Sequence, residues 1–363
     1  MSTQRPRLHY FDMLKGIAIF MVVMGHVIAF CVRGIDSTPL FKFIGAIHMP
    51  LFFFISGWMS WRSDGAGPHL GRRALQLLPP MLFMSTLWIY YFPHSGLESP
   101  LESTFDGLWG DLFKNGYWFT LVLFEIIAMY AAVLPVLRKC RGIATEIALM
   151  AAAIVLTFGI NYLLAHLGIG NYISFDLVAV YFPVFLAGVF AHRHKSLFER
   201  ACSSAGVTVS VAVVSFAIYV LSWSWEFAWA DETVLILLRI AFHLALAVVA
   251  VAVVKPWSEA AFGASAPAAG RPVARMWCYL GRESLAIYLL HYFFLFPLGS
   301  VRDFLLGMNL SFVPMTVFTA LVAAAITGVV LCADRVLRPS QLLSWLMCGR
   351  VPQFITNPKT VKI

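Results

Sequence analysis

The sequence predicts an all-α protein, a polytopic transmembrane helical bundle of about ten spans with both termini cytosolic. Three observations carry that prediction. Of 363 residues, 60% are hydrophobic and only 12% charged, against about 25% charged in an ordinary soluble domain, and the mean hydropathy is +0.81. Apolar runs of roughly 20 residues, enough to cross about 30 Å of hydrocarbon, recur from one end to the other. Arginine and lysine gather in alternate loops, as the positive-inside rule requires. A transmembrane barrel would show ten-residue alternating segments instead.

The first span is expected at about 12–32. Arg5 and Arg7 precede it, but the apolar run exceeds a signal-peptide core and no small-x-small site follows, so the span is read as retained. The second covers about 43–61 and the third about 75–92, with Pro79-Pro80 near its cytosolic end. The remaining seven are placed at 117–137, 143–164, 177–192, 204–222, 234–254, 277–296 and 310–332. Residues 1–340 form one membrane domain in this reading, and 341–363 a short cytosolic tail.

Loop charges set the orientation. One set of loops holds Arg62, Arg72, Arg73, Arg138, Lys139, Arg141, Arg193, Lys195, Arg200, Lys255, Arg271 and Arg275. The opposite set holds little beyond Arg33, Lys42, Lys114 and Arg302. The net charge of +8 therefore encodes topology, with a cytosolic anionic ligand as a second use, and not a nucleic-acid surface. The cysteines Cys31, Cys140, Cys202, Cys278, Cys332 and Cys348 form no C-x-x-C pair and read as packing residues, so no metal is expected.

Two outer loops mix aromatic and acidic residues: Glu98, Glu102, Trp109, Asp106 and Asp111 in one, Trp223, Trp225, Glu226, Trp229, Asp231 and Glu232 in the other. Such a mixture suits sugar faces and hydroxyls, and it equally suits an interfacial aromatic belt. No internal repeat is evident, which weakens a transporter reading.

Ionisable groups inside the spans are costly and point to function. Lys15 and His26 are eleven residues apart, which puts them within about 20° on a helix and about 16 Å apart along it. Asp12 falls near the same face. His48, early in the second span, and His291, late in the ninth, share the outer third of the bilayer with His26. Separately buried core histidines are the plain alternative to a shared site. Glu125 in the fourth span is a candidate to orient a histidine, and Arg239 and His243 stand one turn apart in the eighth. At the cytosolic mouth of the third span, Arg72 and Arg73 suit phosphate, because the guanidinium fork grips oxygens in pairs.

These residues fall in recognisable blocks. Asp12-x-x-Lys15-Gly16 running to Gly25-His26, His48-Met49-Pro50-Leu51-Phe52, Tyr117-Trp118-Phe119, and Gly281-Arg282-Glu283-Ser284 running to Tyr288-Leu289-Leu290-His291 together resemble the acyltransferase 3 family of integral-membrane O-acyltransferases. One position departs: where the family often has a second arginine three residues after Arg73, this chain has Gln76. The hydrolase-like soluble domain of some members is also missing, so any transfer is expected from the membrane domain itself.

The resemblance implies transfer of an acyl group, usually acetyl from cytosolic acetyl-CoA, to a hydroxyl of a surface or lipid-linked carbohydrate; with no soluble domain or targeting sequence evident, a bacterial inner membrane is the expected location. His26 is then the catalytic base, since imidazole titrates near neutrality. His48 and His291 position the acceptor or stabilise the oxyanion, with Glu125 in support. Lys15, Arg72 and Arg73, with Asp12 beside them, hold the coenzyme phosphates, and Tyr117 and Trp118 meet the acceptor. A covalent acyl-histidine route is open as well. The rival readings are a sugar or glycolipid flippase with a histidine proton relay, and an inactive relative that binds a partner.

Overall fold

A computed structural model describes residues 8–31, 39–61, 70–97, 104–219, 232–263, 271–300, 303–304, 312–352 and 355. Arg33, Arg62, Glu98, Glu102, Trp223, Trp225, Glu226, Trp229, Asp231 and Arg302 lie outside them. Among the described residues the structure is helical, without a strand. The helices are α1 (His9–His26), α2 (Pro39–Ser60), α3 (Leu70–Tyr91), α4 (Phe105–Gly110), α5 (Trp118–Leu137), α6 (Ile143–His166) and α7 (Phe175–Arg193). They continue with α8 (Lys195–Ser203), α9 (Ala205–Tyr219), α10 (Glu232–Phe262), α11 (Arg271–Arg282) and α12 (Ser284–Leu290). The last two are α13 (Phe312–Leu337) and α14 (Gln341–Cys348).

Helix α1 is the axis of the bundle, packed against α2, α10, α11, α12 and α13. Apart from His9, Asp12, Lys15 and His26 it is apolar and mostly buried, the composition of a helix enclosed by others. Asp12 sits in its first turn, where a carboxylate complements the helix dipole, and pairs with Lys15 at 3.1 Å. Beyond His26 the hydrogen-bond ladder widens into a π-helical turn, Val27–Cys31, a local irregularity frequent at functional sites.

Two crossings let backbones touch. A Cβ on Gly16 would lie 2.0 Å from the Trp277 carbonyl, and one on Gly281 1.8 Å from the Asp12 carbonyl, so α1 meets α11 with no side chain between them. Gly57 and Gly188 do the same where α2 crosses α7. Small residues at such points are the usual device for close packing in membranes.

Seven helices among the described residues are long and apolar enough to span a membrane: α1, α2, α5, α6, α7, α10 and α13. They account for seven of the ten expected spans. The other three have a different form. Helix α3 has 22 residues but begins with polar and basic ones. Helix α9 follows α8 through a bend of 84°. The expected span at 277–296 is not one helix: α11 ends at Arg282, α12 restarts at Ser284, and a 3-10 turn covers His291–Phe294. The break follows from a charged Arg282-Glu283 pair, whose Glu283 is held by Arg338 at 2.9 Å and by Arg350 at 2.6 Å.

The residues after 340 pack on the bundle. Trp345 in α14 donates its indole N–H to the Leu75 carbonyl of α3 at 2.6 Å, and Gly349 lies against Leu285 and Gln76. The start of α1 lies at this same basic end, alongside α11, where the Cys278 thiol meets the His9 carbonyl.

Candidate active site

Two cavities of about 240 Å³ each lie along α1, one above the other, and share Val22 as a wall. The lower opens at the basic end. Lys15 from α1, Arg73 and Gln76 from α3, and Arg282 from the end of α11 line it, with Tyr288, Phe119 and Leu123 deeper in. Three cations and no carboxylate stand among its described lining residues. That charge balance suits an anion, and two of the cations present the bidentate fork suited to phosphate.

Arg73 Nη1 donates to Gln76 Oε1 at 2.9 Å, so the glutamine aims the arginine along α3. Arg72, its neighbour, is exposed and lines neither cavity. Asp12 is buried and holds Lys15 from behind; it does not face the cavity either.

The upper cavity is lined by His26, His48 and Tyr292, set in an aromatic wall that includes Phe30, Phe41, Phe113 and Trp118. His48 Nδ1 bonds the Ile44 carbonyl one turn back at 2.5 Å. A carbonyl only accepts, so Nδ1 carries the proton and the neutral ring keeps its lone pair on Nε2. Pro50, two residues on, has no N–H to give the helix ladder, which relaxes α2 beside the site.

His291 lies behind His26, with ring centroids 5.0 Å apart, and is wholly enclosed. Its Nδ1 bonds the Tyr288 and Ile287 carbonyls at 2.8 and 3.1 Å, while its Nε2 is buried with no hydrogen-bond partner among the described residues. All three histidines expected at one depth therefore meet: two face the cavity and the third supports one of them.

Tyr117 and Trp118 part company. Trp118 faces the upper cavity, whereas Tyr117 is fully buried and donates its hydroxyl to the Leu289 carbonyl at 3.1 Å, tying α5 to α12. Glu125 lines neither cavity; one of its oxygens, Oε2, is buried without a hydrogen-bond partner among the described residues. His243 is stacked on Tyr181 at 6.2 Å, outside both cavities.

Sequence reasoning passed over Tyr292, Tyr288 and Arg282. Arg282 and Tyr288 stood inside a quoted block, and Tyr292 directly follows His291. The 3-10 turn at His291–Phe294 brings Tyr292 to His26, with Oη 3.1 Å from Nε2.

The outer wall is held by Lys114. It is fully buried, and its ammonium donates to the carbonyls of Trp109, Asp111 and Asn171, joining the segment before α5 to the one before α7. Burial lowers its pKa from the ordinary lysine value, against the pull of Asp111 and Glu125. Ser174 reinforces the junction by donating to the Leu112 carbonyl at 2.7 Å.

The apolar helices, with a basic cavity and a histidine-lined cavity side by side along α1, define a polytopic helical membrane protein. The chain belongs to the acyltransferase 3 family, whose family model, described as an acyltransferase domain, matches residues 8–334. It is similar to the nodulation protein NolL of Mesorhizobium japonicum, 34% identical over 170 residues, covering 43% of this chain and 44% of that one. It is likewise similar to the nodulation protein NolL of Sinorhizobium fredii, 35% identical over 137 residues, 34% of this chain and 36% of the relative. The matches thus span less than half the length of either relative. No solved structure matches the chain.

Proposed function

We propose that this chain is a membrane O-acyltransferase that moves an acyl group, acetyl before others, from a cytosolic acyl-CoA to a hydroxyl of a cell-surface or lipid-linked carbohydrate. One observation carries the reading: a basic cavity and a histidine cavity lie along the same helix and share Val22 in their walls. Lys15, Arg73 and Arg282 meet the coenzyme phosphates. The thin pantetheine arm passes Val22 and presents the thioester at the height of His26. The acceptor comes from the other face, its apolar side against Trp118 and its reacting hydroxyl at His26. The reading places the protein in a bacterial inner membrane.

His26 removes the acceptor proton as its oxygen attacks the thioester carbonyl, and His48 lies across the cavity to orient acceptor or oxyanion. General-base help is worth about 10²–10⁴ in rate. The experiment is incubation of membranes holding the protein with radiolabelled acetyl-CoA. Label is expected in glycan, and His26→Ala at equal membrane abundance is expected to lower it at least about a hundredfold. Near-normal labelling by that variant removes His26 from the role. Sugar translocation without label supports a flippase instead.

A further inference from the structure

The reading above leaves open which nitrogen of His26 is the base, and the hydrogen bonds around Tyr292 decide it. Gly116 sits in the left-handed region at φ +88°, and a Cβ there would lie 2.2 Å from Tyr292 Oη. Glycine thus lets the hydroxyl reach the Gly116 carbonyl. That carbonyl faces two hydroxyls, Tyr288 Oη at 2.9 Å and Tyr292 Oη at 3.4 Å. The Tyr288 oxygen in turn accepts from the Phe119 N–H at 3.3 Å.

The direction of each bond is fixed from its ends. A backbone N–H only donates and a carbonyl only accepts. Tyr288 therefore accepts from Phe119 and donates to Gly116. Tyr292 donates to the same carbonyl, whose two lone pairs serve both hydroxyls. With its proton so engaged, the Tyr292 oxygen accepts from His26 Nε2–H at 3.1 Å. The reverse direction would set the Tyr292 lone pairs against the Gly116 carbonyl oxygen. In the neutral imidazole, a proton on Nε2 leaves the lone pair on Nδ1, the ring nitrogen with no partner among the described residues.

We propose that Tyr292 and the Gly116 carbonyl hold His26 in its Nε2–H tautomer, so that Nδ1 is the atom that takes the acceptor proton. This rests on the acyltransferase reading. The acceptor O–H proton passes to Nδ1 as the oxygen bonds the thioester carbon. The imidazolium keeps its Nε2–H on Tyr292. The C–S bond then breaks, and the Nδ1 proton passes to the leaving sulfur, giving the free thiol and a neutral ring. Tyr292 acts through His26 and is a positioning residue, in the sense that a carboxylate positions the histidine of a hydrolase triad.

The test replaces His26 by Nδ1-methylhistidine, which keeps the ring but blocks the proposed base and leaves the one lone pair on Nε2, against Tyr292. Acetyl transfer is expected to fall to the level of His26→Ala. Tyr292→Phe is expected to lower kcat by about tenfold or more while KM for acetyl-CoA and acceptor stays within about twofold. Substantial activity in the methylated protein, with His26→Ala inactive, overturns the Nδ1 assignment and leaves the acyltransferase reading standing. An active His26→Ala overturns that reading itself. A Tyr292→Phe protein with raised KM and unchanged kcat removes Tyr292 from its positioning role.

Discussion

Gln76 accepts a hydrogen bond from the Arg73 guanidinium at 2.9 Å, one turn along α3, at the mouth of the basic cavity. The family resemblance leads one to expect a second arginine at this position. Here the glutamine supplies no charge; it aims the one that is present. An exposed hydrogen bond to a charged group is worth about 1 kcal/mol, or some fivefold in an equilibrium. Gln76→Ala is therefore expected to raise KM for acetyl-CoA about threefold to tenfold with kcat nearly unchanged. Arg73→Ala should raise it further, and saturating donor should rescue both. Initial-rate kinetics over a donor titration decide the point, and loss of kcat at saturation would count against phosphate contact.

The crossing of α1 and α11 yields a stability prediction. A methyl on Gly281 would strike the Asp12 carbonyl at 1.8 Å, a backbone atom that cannot rotate away. Gly281→Ala should cost about 1–3 kcal/mol or more and displace Asp12, which holds Lys15. Gly159 in α6 has nothing among the described residues within 4 Å of its would-be Cβ, so Gly159→Ala should leave stability equal or slightly higher. Thermal unfolding in detergent compares the two, and equal effects would contradict the close crossing.

Much of this arrangement was legible beforehand, for reasons that particular residues make clear. Lys15 and His26 lie on one helix at a spacing that fixes their relative direction and height, so one facing the lower cavity and the other the upper needed only α1 to be straight. The intramembrane histidines drew notice because polar groups there are rare. Tyr292 escaped because its contact with His26, 266 residues away in sequence, is made by tertiary packing alone. The break at Glu283 also escaped, since its partners Arg338 and Arg350 lie more than fifty residues away in sequence. Tyr117 and Trp118 are adjacent and aromatic, and only tertiary packing separates a buried brace from a cavity wall.

Arg350 bonds Glu283 at 2.6 Å and also the fully buried Asp334, pinning the end of α14 beside Leu285 and Gln76. Removing it leaves Asp334 with Arg338 at 2.8 Å, so the buried carboxylate is still partly compensated. Arg350→Ala should therefore cost about 1–3 kcal/mol, short of the effect of orphaning a buried charge. The Gly349 contact should loosen with it, raising KM for acetyl-CoA. Protease sensitivity of the last helix and donor kinetics would be followed together; an unchanged KM would show that α14 has no part in the cavity.

Lys114 gives a prediction with a sign. Burial lowers its pKa in the folded protein below the unfolded value of about 10.4. Between those two values the unfolded chain binds the extra proton and the folded one does not. Stability contributed at this site must then rise with pH across that alkaline window and be flat below it. Lys114→Met abolishes the titration and leaves the carbonyls of Trp109, Asp111 and Asn171 without their ammonium donor. The variant should be less stable at neutral pH, with faster hydrogen exchange around 109–116 and 170–174. Its deficit in Tm against the parent should widen as pH rises from about 8 to 10. A deficit that narrows over that range would mean that the folded lysine binds its proton more tightly than the unfolded one, which the carbonyl cage could achieve only by overcoming the cost of burial.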